Sequence, residues 1–337
     1  MATSNATVVF VTGASRSGTT VLARSLGRHS EILGMDELHY FGELASPPFP
    51  QIGRSEAVSR AATIIARSER GIWNSEVLQA DRDRAEKIID GCIGDEGINA
   101  ADAFFETIKA MAAERGKSIP CEQTPRNIYY AKALVDRSDS VRILHMVRDP
   151  HAVLASQKNR WKRRANSNKA IPFSEMIRVW VNYHPYTMAK LWSGANEIAQ
   201  QLSDHPQIHI VRYEDLVAHP ERTLKGICGF LGVAFEEAML EVAVVGSSQR
   251  HDGGRTGFAR DSLDAWKHVL TKNEAWVVER TCARLMARFD YPRVADRLPS
   301  LGVIGSAARY PIHLLGVLLA NPKRALIQIR GLLGLQD

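Results

Sequence analysis

The chain has 337 residues, 45% of them hydrophobic and 24% charged, with a net charge of +6 and four cysteines. That length holds one large α/β domain or two smaller ones with ample core, while Cys92, Cys121, Cys228 and Cys282 are too scattered for a disulfide framework or a C-x-x-C metal site. The positive balance favours anionic ligands in general. The opening residues carry no basic-then-apolar leader, and no run reaches the roughly eighteen uninterrupted apolar residues of a membrane span, so the expectation is a soluble, cytoplasmic protein.

In chain order, Val8-Val-Phe-Val11 is a β-branched and aromatic run that predicts a buried parallel strand. Gly13-Ala-Ser-Arg-Ser-Gly18-Thr-Thr20 is a glycine-bounded turn, after which Val21, Leu22 and Leu26 recur at helical spacing. A strand, a tight turn and a helix N-terminus make an anion site, because loop amides converge there and the aligned peptide dipoles favour negative charge. Residues 29–37 predict a second strand or its edge, ending in Met35-Asp36-Glu37. Prolines 47, 48 and 50 place a surface loop over 41–53. Helical segments follow near 55–69, 80–92 and 100–115, read as an insertion after the first βα unit. Strands are expected at 118–123, 141–147 and 208–212, with helices at 173–202, 220–231 and 273–289. The alternation implies an α/β, P-loop-like three-layer fold, a central parallel sheet flanked by helices. Gly13, Arg148 and Tyr213 each fall at or just past a strand's carboxyl end, the rim where such sheets bind ligands. One domain over 1–298 and an apolar, basic tail over 299–337, broken by Pro311 and Pro322, complete the expected organisation.

Gly13 and Gly18 sit where the G-x-x-x-x-G-K-[ST] loop has its glycines and Thr20 matches its hydroxyl, but Thr19 replaces the lysine that reaches the β- and γ-phosphates. Arg16 inside the loop suggests a different anion. Arg16-Ser17-Gly18-Thr19-Thr20 resembles the 5′-phosphosulfate loop of the sulfotransferases that use 3′-phosphoadenosine 5′-phosphosulfate (PAPS). Arg148-Asp149-Pro150-His-Ala-Val153-Leu-Ala-Ser156 is similar to that family's R-D-P-x-x-V-x-x-S motif, which implies 3′-phosphate ligands at Arg148 and Ser156. A guanidinium fork and a hydroxyl one turn into a helix suit that role. Arg212-Tyr213-Glu-Asp-Leu-Val217 resembles the family's R-Y-E-D-L segment and implies that Tyr213 lies near the nucleotide.

The resemblance implies sulfuryl transfer from PAPS, as co-substrate and without a metal, to an acceptor hydroxyl. With no histidine between His39 and His145, the histidine base of the small-molecule branch is not available. Residues 16–37 resemble without a gap the tyrosylprotein and heparan sulfate type, which implies Glu37 as general base; Asp36 and His39 are the competing candidates. A carboxylate partly shielded from water has its pKa raised toward neutrality, which suits a base. Arg16 stabilises the charge that builds on the transferring group.

Two positions depart from the family pattern: Gln123 stands for the lysine that assists the leaving group, and Val21 for an aromatic that stacks on adenine. Arg255 and Arg260, in the glycine- and arginine-rich loop over 246–265, are further phosphate-ligand candidates. Six basic residues surround Trp161 in a loop read as a solvated basic face or as a rim attracting PAPS or an anionic acceptor. No nucleic-acid reading motif is present. The tail packs on its own domain, makes a homodimer, or lies on a membrane surface. A protein of the same fold without turnover and a phosphate-loop kinase are the alternatives to the sulfotransferase reading. The acceptor, whether carbohydrate, lipid-linked, natural-product or tyrosine hydroxyl, is not encoded in any legible motif.

Overall fold

The computed structural model describes residues 6–159, 180–242, 257–258, 263–295 and 301–320. Its centre is a five-stranded parallel sheet in the order β2-β5-β1-β6-β7, built from β1 (Val8–Gly13), β2 (Ile32–Met35), β5 (Ile119–Glu122), β6 (Val141–Val147) and β7 (Ile208–Arg212). Two short strands, β3 (Gln51–Ile52) and β4 (Ile98–Asn99), pair antiparallel away from it.

The period-2 pattern of β1 explains the layers. Val8 and Phe10 enter one apolar cluster, Val9 and Val11 the other, so both faces of the sheet must be covered. On one side lie α1 (Thr19–Leu26), α8 (Tyr213–Ala218) and α9 (Pro220–Leu231), contributing Leu22, Leu26, Leu216, Leu224 and Ile227. The other side carries α2 (Arg54–Arg70), α3 (Gln79–Asp90), α4 (Ala100–Ala113), α5 (Ala131–Arg137), α7 (Pro185–Gln201), α10 (Lys272–Thr281) and α11 (Ala283–Arg288). Between β6 and α7 runs α6 (Pro150–Lys158), whose Val153 and Leu154 join that second cluster, while α12 (Leu301–Ala320) packs outside on α10.

After β1 the chain moves to one edge of the sheet, and after β6 to the other. This is a topological switch point beside β1, the position at which α/β sheets open a crevice at the carboxyl ends of the strands. Register brings Gly13 opposite Met146 and Val147 opposite Arg212, so the β1, β6 and β7 ends form one rim.

Several local expectations need correction. Of the helix expected over 173–202, residues 173–179 lie outside the described residues and Trp180 and Val181 are helical. The chain then breaks at 182–184, and α7 starts at Pro185, whose ring cannot donate to an upstream carbonyl and sits at the first helical position with His184 as its cap. Residues 273–289 form two helices that meet at Cys282. The loop expected on the surface over 41–53 begins inside the core, where Phe41 and Ala45 are buried. Pro311 does not break the tail: α12 runs through it, and the proline lies on the exposed side, where a carbonyl deprived of its helix bond can turn to water. The same helix, Leu301–Leu319, is long and apolar enough by length and composition to cross a membrane, although Arg309 and His313 interrupt its apolar run.

Candidate active site at the carboxyl rim

The first loop is shaped by two close approaches. A Cβ at Gly13 would lie 2.6 Å from the Met146 carbonyl oxygen, so only glycine lets β1 end against β6 there. Gly18 caps α1 with φ +96°, and a Cβ on it would lie 2.3 Å from the Tyr213 ring. Between them, Arg16 takes a left-handed backbone conformation, φ +82°, which costs a non-glycine residue about 1 to 2 kcal/mol.

That strain is held by partners from the second motif. Arg16 Nε donates to Ser156 Oγ at 2.9 Å, and an Arg148 guanidinium nitrogen donates to the Arg16 carbonyl at 3.3 Å. The Arg148 guanidinium also lies 4.2 Å over the Tyr213 ring. Four residues singled out from three separate stretches, Arg16, Arg148 with Ser156, and Tyr213, therefore share one site. The amides of Thr19 and Thr20, the first two of α1, have no backbone acceptor among the described residues, and that turn carries no acidic residue. Ser17 is fully buried and its Oγ has no partner among the described residues. A loop with free-pointing amides, a guanidinium and an orphaned hydroxyl suits a phosphate or sulfate group.

Buried contacts fix Arg148 from behind. Trp192 Nε1 donates to the Arg148 carbonyl at 2.9 Å. The next residue, Asp149, caps α6 and accepts from the His151 amide at 2.8 Å, while its own amide donates to Glu214 at 2.9 Å. Burial pushes the Glu214 carboxyl up, and the Tyr291 hydroxyl donates to it. His145 is enclosed beneath the loop between Thr12 and Asn196, and burial pushes it down to about 4, so it is neutral at pH 7.

The other half of the rim is the end of β5. Gln123 Nε2 donates to Thr19 Oγ1 at 3.1 Å, reaching the Gly13–Thr20 loop. Its neighbour Glu122 reaches the opposite way and accepts from the Leu38 amide at 3.0 Å and from Asn127 Nδ2 at 2.8 Å. Thr124 Oγ1 donates to the same Glu122 carboxylate and accepts from the amides of Leu38 and His39, each at 3.2 Å. Arg67 closes the turn by donating to the carbonyls of Leu38 and His39.

Glu37 sits on this braced turn, 2.8 Å from His39 Nε2. Its side chain is 41% exposed, so the shielding from water expected for a base is not what surrounds it; a neighbouring imidazole is. The shielded carboxyl is Glu122, which burial pushes up to about 7. Glu122 was visible in the sequence only as a neighbour of Gln123; its signal was an acidic residue at a buried strand's end, two positions before Thr124. Asp36 makes no ion pair among the described residues. Arg255, Arg260 and the basic cluster over 160–169 lie outside the described residues.

Comparison with known proteins agrees with this geometry. The profile of the sulfotransferase family matches residues 8–237. Human carbohydrate sulfotransferase 2 is 27% identical over 199 residues, covering 49% of this chain and 37% of that protein. Carbohydrate sulfotransferase 3 of Tetronarce californica is 23% identical, over 56% of this chain and 45% of its own. The matched span is thus less than half the length of either relative. Among solved structures, the sulfotransferase domain of the Synechococcus PCC 7002 olefin synthase superposes with a TM-score of 0.53 at 21% identity, covering 85% of this chain and 94% of that one. The sulfotransferase domain of the curacin biosynthetic pathway gives a TM-score of 0.52 at 18% identity, over 86% and 99%. At those identities the two structures speak for the fold.

Proposed function

The chain belongs to the sulfotransferase family, and from that premise we propose that it transfers a sulfuryl group from PAPS to an acceptor hydroxyl, an EC 2.8.2-type reaction, with Glu37 as general base. In this reading Arg16, Ser17, Gly18, Thr19 and Thr20 hold the 5′-phosphosulfate. Arg148 and Ser156 hold the 3′-phosphate, with Tyr213 against the nucleotide. Glu37 takes the acceptor's proton as its oxygen attacks sulfur; the sulfur–oxygen bond to the 5′-phosphate breaks, and 3′-phosphoadenosine 5′-phosphate (PAP) leaves. Arg16 and the loop amides neutralise the charge developing on the leaving phosphate. Glu122, Thr124 and Arg67 act as positioning residues, since they fix the backbone on which Glu37 and His39 stand.

The observation that carries the reading is the convergence of Arg16 with Arg148 and Ser156, which lie more than a hundred residues further along the sequence, at one helix N-terminus. The names of the relatives favour a carbohydrate hydroxyl, free or lipid-linked, over a tyrosine; a natural-product hydroxyl is the next class. The Glu37–His39 pair favours the glutamate-base type over the histidine-base branch. One observation favours a second reading, a nucleotide-binding protein without turnover: Gln123, at the place of the leaving-group lysine, is buried and neutral. The test is transfer of radiolabelled sulfate from PAPS to a panel of carbohydrate and natural-product hydroxyls. Transfer that disappears in Glu37→Gln while PAP binding persists supports the enzyme reading; PAP binding with no transfer and no PAPS hydrolysis supports the second.

A further inference from the structure

Outside the rim, α12 has two faces that the sulfuryl chemistry does not use. On one, Val303 and Val317 are buried, and Tyr310 and His313 pack on His184 at ring distances of 4.8 Å each. The other carries Leu301, Ile304, Ile312, Leu315 and Leu319, between 57% and 87% exposed. Wound at 3.6 residues per turn, these five fall within a sector of about 80°, a continuous apolar stripe about 27 Å long. An exposed stripe of that length needs a partner.

The surroundings select the partner by charge. Beside α12 lies a cavity of about 630 Å³ lined by Tyr186, Lys190, Trp276, Arg280 and Tyr310. Trp276 Nε1 is buried there with no acceptor among the described residues. Trp180, 65% exposed, adjoins Val181, which lies against Gly316 of α12. Tryptophan and tyrosine rings with cations at an apolar edge are the composition of a membrane–water interface. From residue 299 onward the sequence holds Arg309, Lys323, Arg324 and Arg330 against Asp337 as the only acidic side chain. This charge complements anionic headgroups.

We propose that α12 lies in the plane of an anionic lipid bilayer, its apolar stripe at the headgroup–acyl boundary, with the adjoining cavity taking a lipid phosphate between Lys190, Arg280 and the Trp276 indole N–H. The helix does not span. Its inner face, with Tyr310 and His313, is packed on His184, and a span would draw those polar groups and Arg309 into hydrocarbon. Lying flat, Arg309 extends its guanidinium to the headgroups. The inference is independent of the sulfuryl reading.

The full chain is sedimented with vesicles of phosphatidylcholine alone and of phosphatidylcholine with phosphatidylglycerol. Binding is expected on the anionic vesicles, and it falls at least about tenfold in Ile312→Glu/Leu315→Glu, two exposed positions whose change leaves the thermal melt in place. Lys190→Ala lowers the preference for anionic over neutral vesicles several-fold. Equal binding by the double variant, no binding by the wild type, or a bound fraction that resists alkaline carbonate as a spanning helix does would overturn the proposal. A wild-type dimer that the double variant splits, without vesicle binding, assigns the stripe to a second copy and overturns it as well. An unchanged anionic preference in Lys190→Ala removes the headgroup assignment.

Discussion

Glu122→Gln tests the brace beneath the proposed base. The Glu122 carboxyl is buried at the end of β5, and burial pushes it up to about 7, with His39 lowering it and Glu37 raising it. An unfolded glutamate titrates near 4.3. Between the two values the folded chain holds a proton that the unfolded chain has released, so the stability this group contributes is complete below the unfolded value and lost as pH rises through 7. Integrated from about pH 5 to about pH 8, the loss is about 2 to 3 kcal/mol. Glutamine keeps an oxygen for the Leu38 amide and Thr124, and its N–H₂ can donate to Asn127 Oδ1, which is buried with no partner among the described residues, once that amide turns over. Urea unfolding of both chains across this range should therefore show the wild type losing stability relative to Glu122→Gln by that amount as pH rises. Parallel profiles would refute the reasoning and mean that the carboxyl titrates normally inside the fold.

Gly18→Ala should destabilise through two separable effects: the left-handed backbone, about 1 to 2 kcal/mol, and overlap with Tyr213, about 1 to 3 kcal/mol. In a Tyr213→Ala background only the first should remain, and chemical denaturation giving equal costs in both backgrounds would contradict the packing described. Gln123→Lys places a charge at a buried site beside Thr19 and should lower stability without ligand by about 1 to 3 kcal/mol. The same variant should bind PAP more tightly, since the charge then faces an anion; thermal melts with and without PAP check both signs.

Much of the rim around the first loop was legible, because its geometry is local. A β-branched run, a glycine turn and a helix start are written in consecutive residues from Val8 to Leu26, and Arg148-Asp149-Pro150 marks a strand end and a helix N-terminus by its own chemistry. What the sequence could not show is what those motifs touch. That Gly18 is a glycine because of the Tyr213 ring depends on the β1–β6–β7 order, and that Glu122 braces Leu38 depends on β5 lying between β1 and β2. Periodicity also missed the break at 182–184, since an amphipathic pattern runs on past a proline whose missing N–H cannot bond the turn before it. Pro311 misled in the opposite direction: a breaker on an exposed helix face is tolerated when the other face is packed.

The central claim, that the loop from Gly13 to Thr20 and the Arg148–Ser156 segment together bind a 3′-phosphorylated adenine nucleotide, is tested most directly by calorimetric titration with PAP beside ATP and magnesium. The account predicts tight binding of PAP, weakened by about 2 to 4 kcal/mol in Arg148→Ala, and little heat from ATP. Binding of ATP with none of PAP, or PAP affinity indifferent to Arg148→Ala, would contradict it.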